Sequence, residues 1–422
     1  MTFGGRMDIT PFIRLAAAIV LLATTVDGAV GASTPAREPA PSPGPAIAAA
    51  VAVTTEGPKT RFTVMLSKPV TARAHLMERP DRVVVDLGEV TFHVAGDTGR
   101  KREGLIASFR YGLFAPGRSR MVIDLAQPAL VSRIDVEPDP RSGSARLVVE
   151  LVRTDRDSFH RAASERASAD PTPPVPPVAE APRDERPLVM LDPGHGGVDP
   201  GAAASGGIFE KEIVFAFAQK LKSKLEAEGR YRVLMTRDQD VFIPLGERVR
   251  MAQRAGADLF ISIHADTISG AGEVRGFTVY TGSERASDAD SARLADRENR
   301  ADAVAGVEAG EAPNEDVSDI LKDLTARETR AFSHRLATRL VGELDTVGRL
   351  NKNPHRQAGF LVLRAHDVPS VLVELGYLSS RKDFDLLTSE EWRDRSTSAM
   401  TAAIDRFFAA RLAREGSAPV SP

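Results

Sequence analysis

The sequence predicts two folded units of different class. Residues 51–154 read as a small all-β domain, and residues 187–415 as an α/β domain whose mixed sheet is covered by helices on both faces. Three observations carry this. Short apolar segments broken by Gly, Pro or Asp fill the first stretch without a helical period. Strands alternate with amphipathic helices through the second. Between them, residues 155–186 are rich in Pro, Ala and charge, as a semi-rigid linker would be. The 422 residues, 42% hydrophobic and 27% charged, suffice for two or three domains with at least one substantial core.

The N-terminus sets the compartment. Arg14 precedes the apolar run LAAAIVLLATTV at residues 15–26, and small residues follow to Ala32, the order of a secretory signal peptide over residues 1–32. The run is shorter than the ~20 residues that a membrane helix needs, so the processed protein is expected to have no membrane span. Residues 33–50, STPAREPAPSPGPAIAAA, read as a flexible spacer. The β domain then follows in RFTVMLS (61–67), DRVVVDLG (81–88), GLIASFRYGLF (104–114), SRMVIDLA (119–126) and ARLVVELV (145–152). His75 and His93 are isolated there, and no catalytic cluster is legible.

In the α/β domain, strands are expected at residues 188–192, 231–237, 258–266, 276–280, 360–363 and 369–376. Helices are expected at residues 208–229, 244–256, 287–299, 327–344 and 391–411. Pro244 and Gly256 supply the start and stop signals of the second helix. In such sheets the ligand site lies off the strand ends. A net charge of -3 gives no reason to expect a nucleic-acid partner. With no cysteine, any metal must be held by His, Asp or Glu.

The polar residues at the strand ends form one such set. His195 sits in DPGHGGVDPG after the first strand, Glu210 opens the long helix, His264 closes the strand in SIHAD, and Glu374 ends the apolar SVLVE. Two imidazoles and a carboxylate are the kind of set that holds a catalytic zinc while leaving a position for water. Glu374 would then be free to move the proton. Each residue also has a plainer role open to it. Glu210 could be a first-turn carboxylate favoured by the helix dipole, His264 a surface histidine, and Glu374 a helix cap or the partner of Arg237 or Arg364. His355 and His366 compete for a ligand role by spacing alone.

The motifs DPGHGGVDPGA (192–202), FEKE (209–212), TRDQDVFIPLGERV (236–249), SIHAD (262–266) and PSVLVELGYLSS (369–380), in this order, resemble the zinc-dependent N-acetylmuramoyl-L-alanine amidases of bacterial cell division. The resemblance implies that His195, Glu210 and His264 are the Zn2+ ligands and Glu374 the catalytic glutamate. It implies cleavage of the amide between N-acetylmuramic acid and L-alanine in peptidoglycan, in the periplasm, for wall splitting between daughter cells. The β domain resembles the AMIN-like peptidoglycan-binding module of that family.

An insertion at residues 287–328 carries an acidic, helix-forming stretch with a break near residues 306–313. In such relatives a helix here covers the zinc with an acidic side chain, and an activator with an inactive, LytM-type peptidase-like domain moves it. Glu298, Glu308 and Glu311 are the candidate carboxylates. Two other functions share these residue types. A wall-binding module would not need Glu374, and a zinc peptidase would cut within the stem peptide.

Overall fold

The computed structural model describes residues 44–94, 99, 102–165, 184–268, 274–307 and 320–415. The signal peptide expected at residues 1–32 lies outside them, as do Glu308 and Glu311. Among the described residues no helix is long and apolar enough to cross a membrane.

Among the described residues the first domain contains nine strands: β1 (Ala46–Glu56), β2 (Lys59–Leu66), β3 (Ala72–Met77), β4 (Arg82–Gly88), β5 (Val90–Phe92), β6 (Ile106–Ala115), β7 (Arg118–Leu125), β8 (Ala129–Pro138) and β9 (Ala145–Arg153). They form two sheets, β5-β1-β2-β9-β8 and β3-β4-β7-β6. Phe62, Val64, Leu147 and Val149 from one and Val83, Val85, Met121 and Ile123 from the other make the core between them. Strand alternation sends Val84 and Val122 to the opposite face of the second sheet, where they meet Val198, Phe242 and Ala305 of the second domain. The run Val83, Val84 and Val85 is continuously apolar because both faces of that strand are covered.

Two expected boundaries shift. The spacer does not run to residue 50, because β1 begins at Ala46 and pairs with β2 and β5. Its buried Ala46 and Ala48 have low strand propensity and left no β signal in the sequence. The linker is not structureless from residue 155. Asp155 caps helix α1 (Arg156–Ser164) by accepting the Ser158 amide, and Phe159 and Ala163 bury in the β core.

The second domain runs β10 (Leu188–Pro193), α2 (Glu210–Ala227), β11 (Arg232–Met235), α3 (Leu245–Ala255), β12 (Leu259–His264), β13 (Phe277–Gly282), α4 (Ala289–Glu298), α5 (Ala301–Val304), α6 (Ile320–Leu344), β14 (Leu350–Ala358), β15 (Ser370–Glu374), α7 (Arg381–Leu387) and α8 (Glu390–Glu415). The sheet order is β11-β10-β12-β15-β13-β14. All its pairs are parallel except β13 with β15, so the sheet is mixed. One face, with Val189, Leu191, Ile261, Ile263, Val371 and Val373, packs on α2, α6 and α8. The other, with Met190, Phe260 and Leu372, packs under α3 and α4.

The strand expected at residues 360–363 is instead a 3-10 turn at Leu361–Leu363. FLVL is apolar because it lies under the second face of the sheet. The strand is β14, LNKNPHRQA, whose polarity and proline fit an edge position paired only with β13.

Candidate metal centre

The site forms where β10, β12 and β15 end. His264 and Glu374 are Cα partners across the β12–β15 ladder. Residues 260 and 264, like 372 and 374, share a strand face, so both side chains emerge at the α3–α4 side of the sheet.

Glycines let the chain close around them. A Cβ on Gly194 would stand 2.4 Å from the His264 ring, and one on Gly201 would stand 2.6 Å from His195 and 2.8 Å from Glu210. His195 itself holds φ +59°, a costly conformation for a residue with a Cβ, which aims its ring into the space. Arg248, buried and paired with Asp192 at 2.8 Å, donates to the carbonyls of Pro193 and His195 and fixes the loop. Asp192 also accepts from Thr236 and Ser262, each at 2.7 Å.

The expected ligands meet. Glu210 opens α2 fully buried, and its carboxylate accepts the amides of Ala202 at 2.9 Å and Ala265 at 2.8 Å. Its oxygens lie 3.1 Å from His195 Nε2 and 3.2 Å from His264 Nδ1. His195 Nδ1 is 2.8 Å from Asp199, which leaves Nε2 facing the centre. That Nε2 lies close to carboxylates yet lacks a hydrogen bond of good geometry, as does the buried Glu374 Oε1. A buried ring nitrogen that faces carboxylates without a well-formed hydrogen bond is an arrangement that a cation completes.

Glu298, the last residue of α4, reaches the same point, 3.5 Å from His195 Nε2 and 3.2 Å from His264 Nδ1. His195, His264 and Glu298 form a His/His/Glu cluster able to hold a metal ion, with ligand atoms all within 4.8 Å of one another. Of the three expected inhibitory carboxylates, the described residues thus include one, and it is at the centre. Asn299 and Ala301 line the same cavity. Three residues tie the segment to the second domain: Arg297 pairs with Asp266, Asn299 bonds Gly359 and Leu361, and Asp302 accepts the Leu245 amide at the start of α3.

Electrostatics follow from this crowding. Burial alone would lower the histidines, but the surrounding carboxylates reverse it. His195 is raised well above its ordinary value by Glu210, Asp199 and Glu298, and His264 to about 10 chiefly by Glu298 and Glu210. Burial, with the charges of Glu298 and Glu210, raises Asp266 to about 7. Burial, reinforced by Asp266, Glu210 and Glu298 against the opposing His264, holds Glu374 well above the carboxylate range.

The plainer roles suggested for His264 as a surface residue and for Glu374 as the partner of Arg237 do not match the geometry, since His264 is buried, while Glu210 does stand in the first turn of α2. Arg237 donates to the carbonyls of Pro193, Gly194 and Lys211 rather than to Glu374, whose Oε2 accepts the Asp266 amide at 3.1 Å. His355 packs on His334 with ring centroids 4.3 Å apart, and His366 is exposed. Sequence reasoning missed Asp199, Arg248, Asp266 and Arg297. The first three lie inside quoted motifs, but spacing gave them no partner.

Comparison with known proteins bears on the same residues. Residues 189–406 match the family described as N-acetylmuramoyl-L-alanine amidase, and residues 50–151 match the AMIN domain. The chain is 34% identical over 376 residues to N-acetylmuramoyl-L-alanine amidase AmiC of Neisseria meningitidis, covering 85% of this chain and 89% of that one. It is 33% identical over 374 residues to AmiC of Escherichia coli, with the same coverage of each. It is 37% identical over 222 residues to AmiA of Salmonella typhimurium, covering 52% of this chain and 76% of that protein. From its β-rich first domain, its mixed α/β second domain and its buried metal-binding cluster, the chain belongs to the N-acetylmuramoyl-L-alanine amidases of the AmiC type, enzymes that hydrolyse the peptidoglycan amide bond.

Proposed function

We propose that His195, Glu210 and His264 hold Zn2+, that Glu374 moves the proton during amide hydrolysis, and that Glu298 keeps the centre closed at rest. The observation that carries this reading is the convergence of two imidazoles and two carboxylates on one buried point, with His195 Nε2 lacking any other partner. A set of imidazole and carboxylate ligands without thiolate suits zinc, and three protein ligands leave room for water once Glu298 withdraws. Bound there, zinc would supply a water acidic near neutral pH and a Lewis acid for the amide carbonyl.

Glu374, buried beside His264, takes the proton from the attacking water and gives it to the departing L-alanine nitrogen. Asp199 orients His195, and the Ala202 and Ala265 amides orient Glu210. The resting state admits no substrate while α4 covers the ligands. An activator bearing an inactive LytM-type domain would bind the open state more tightly and so shift the population.

Residues 1–32 would export the protein to the periplasm, where the first domain binds peptidoglycan and the second splits the wall between daughter cells. Intact mass of the exported protein should place its start near Ser33, and retention of Met1 would contradict export by cleavage.

The test of the centre is zinc stoichiometry alongside turnover. His195→Ala and His264→Ala should lose both, whereas Glu374→Gln should keep zinc and lose turnover by about 10²–10⁴-fold. Unchanged zinc in both histidine variants would overturn the ligand assignment.

A further inference from the structure

The first domain touches the covering segment itself. Behind α4, the chain turns through α5 and ends it at Ala305 and Gly306, whose carbonyls, with those of Ala303 and Val304, face the sheet β3-β4-β7-β6. Three arginines of that sheet meet them. Arg82 on β4 donates to the Ala303 carbonyl, Arg110 on β6 to Val304 at 2.7 Å, and Arg120 on β7 to Gly306 at 2.8 Å. Each is aimed by a carboxylate of the same sheet. Asp124 holds Arg82 at 3.0 Å and Arg110 at 2.6 Å, and Asp86 holds Arg120 at 2.7 Å. Guanidinium groups at a helix C-terminus satisfy carbonyls that lack an intrahelical donor and face the negative end of the dipole.

Apolar contacts and close backbone approach accompany the arginines. Ala305 is fully buried among Val84, Val122, Phe114 and Phe242, and Arg120 lies over the Phe114 ring at 3.6 Å. Gly306, at φ +69°, comes so near that an added Cβ would stand 2.8 Å from Val84 and 3.3 Å from Val122. The edge of β6 also lies against the loop that carries His195. Leu113 bridges to Val241 and accepts the Phe242 amide, and a Cβ on Gly112 would strike Gly197 at 2.2 Å.

We propose that the first domain is a clamp on the blocking segment: Arg82, Arg110 and Arg120 hold the C-terminal carbonyls of α5 and thereby keep Glu298 at the metal centre. The proposal rests on the reading of Glu298 as the blocking carboxylate. Glu298 is followed within a few residues by the clamped carbonyls, so α4 cannot swing away as a unit while they stay in place. Opening the site therefore requires α5 to leave the sheet or the domain to leave with it. By linkage, whatever favours release of this sheet also favours the open centre.

The test uses the full processed chain, without activator, in dye release from labelled sacculi, with zinc content measured for each protein. One variant combines Arg82→Gln, Arg110→Gln and Asp124→Asn, which removes two of the three guanidinium groups and their shared carboxylate together and leaves no buried charge unpaired. A second, Gly306→Ala, perturbs the contact from the other side and leaves the first domain's sequence intact, so it decides the matter if the first fails to fold. Both should raise basal release roughly fivefold or more, the low end of coupling between linked sites, and speed amide hydrogen exchange over residues 301–306. Glu298→Ala is the reference. If it raises basal release while both clamp variants keep wild-type release and exchange, the clamp is wrong and the blocking helix stands. If Glu298→Ala itself leaves release unchanged at full zinc, the blocking reading fails and the clamp fails with it.

Discussion

His195 shows how much one residue's surroundings decide. It stands at positive φ between Gly194 and Gly196, its backbone carbonyl is held by Arg248, and its Nδ1 is held by Asp199. Each of these constraints narrows where Nε2 can point, and together they aim it at Glu210 and Glu298. A ligand fixed before the ion arrives loses little freedom on binding, which is why the partners of ligands matter almost as much as the ligands. Asp199→Ala should therefore lower metal affinity by about 10–100-fold while leaving the three proposed ligands in place. Competition against a chelator of known affinity measures this, and an unchanged zinc affinity would mean that the glycine-rich loop alone orients the ring.

At the scale of elements, the central strands and the loop between β10 and α2 act as one frame. Arg248 on α3 crosses to Asp192 on β10 with both side chains almost fully buried, so the helix is tied to the sheet through an ion pair with little access to water. Arg248→Ala would strand the Asp192 charge and the carbonyls of Pro193 and His195, at a cost of about 3–5 kcal/mol. Thermal unfolding should show a clear fall in Tm, and a variant as stable as the parent would mean that water replaces the guanidinium. Strongly patterned elements were legible in the sequence. The long helix α2, the buried strands β10, β12 and β15, and the Pro244-to-Gly256 limits of α3 follow from apolar runs and end signals. What escaped was context. FLVL is apolar through packing rather than pairing, and β14 is polar because it is an edge. The ligand candidates could be read because His and Glu are conspicuous at the ends of apolar strands. Arg248 and Asp199 could not be read as partners, because nothing in a charged residue's position says which buried group it faces.

At the scale of the whole molecule, a proposed wall-directed domain, a hydrolytic centre and a helix over it stand in one chain. The first domain is expected to accompany purified sacculi in a sedimentation assay, and a catalytic domain that pelleted alone while the first domain stayed in solution would reverse the division of labour. The claim on which the rest depends is that this centre cuts the bond between glycan and peptide, and that Glu298 restrains it. Mass spectrometry of the products from sacculi treated with Glu298→Ala and with the parent protein tests both parts together. The account predicts peptide-free glycan and stem peptides with a free L-alanine amino terminus, released faster by Glu298→Ala than by the parent at equal zinc. Fragments cut within the stem peptide, or the same slow release from both proteins, would contradict it.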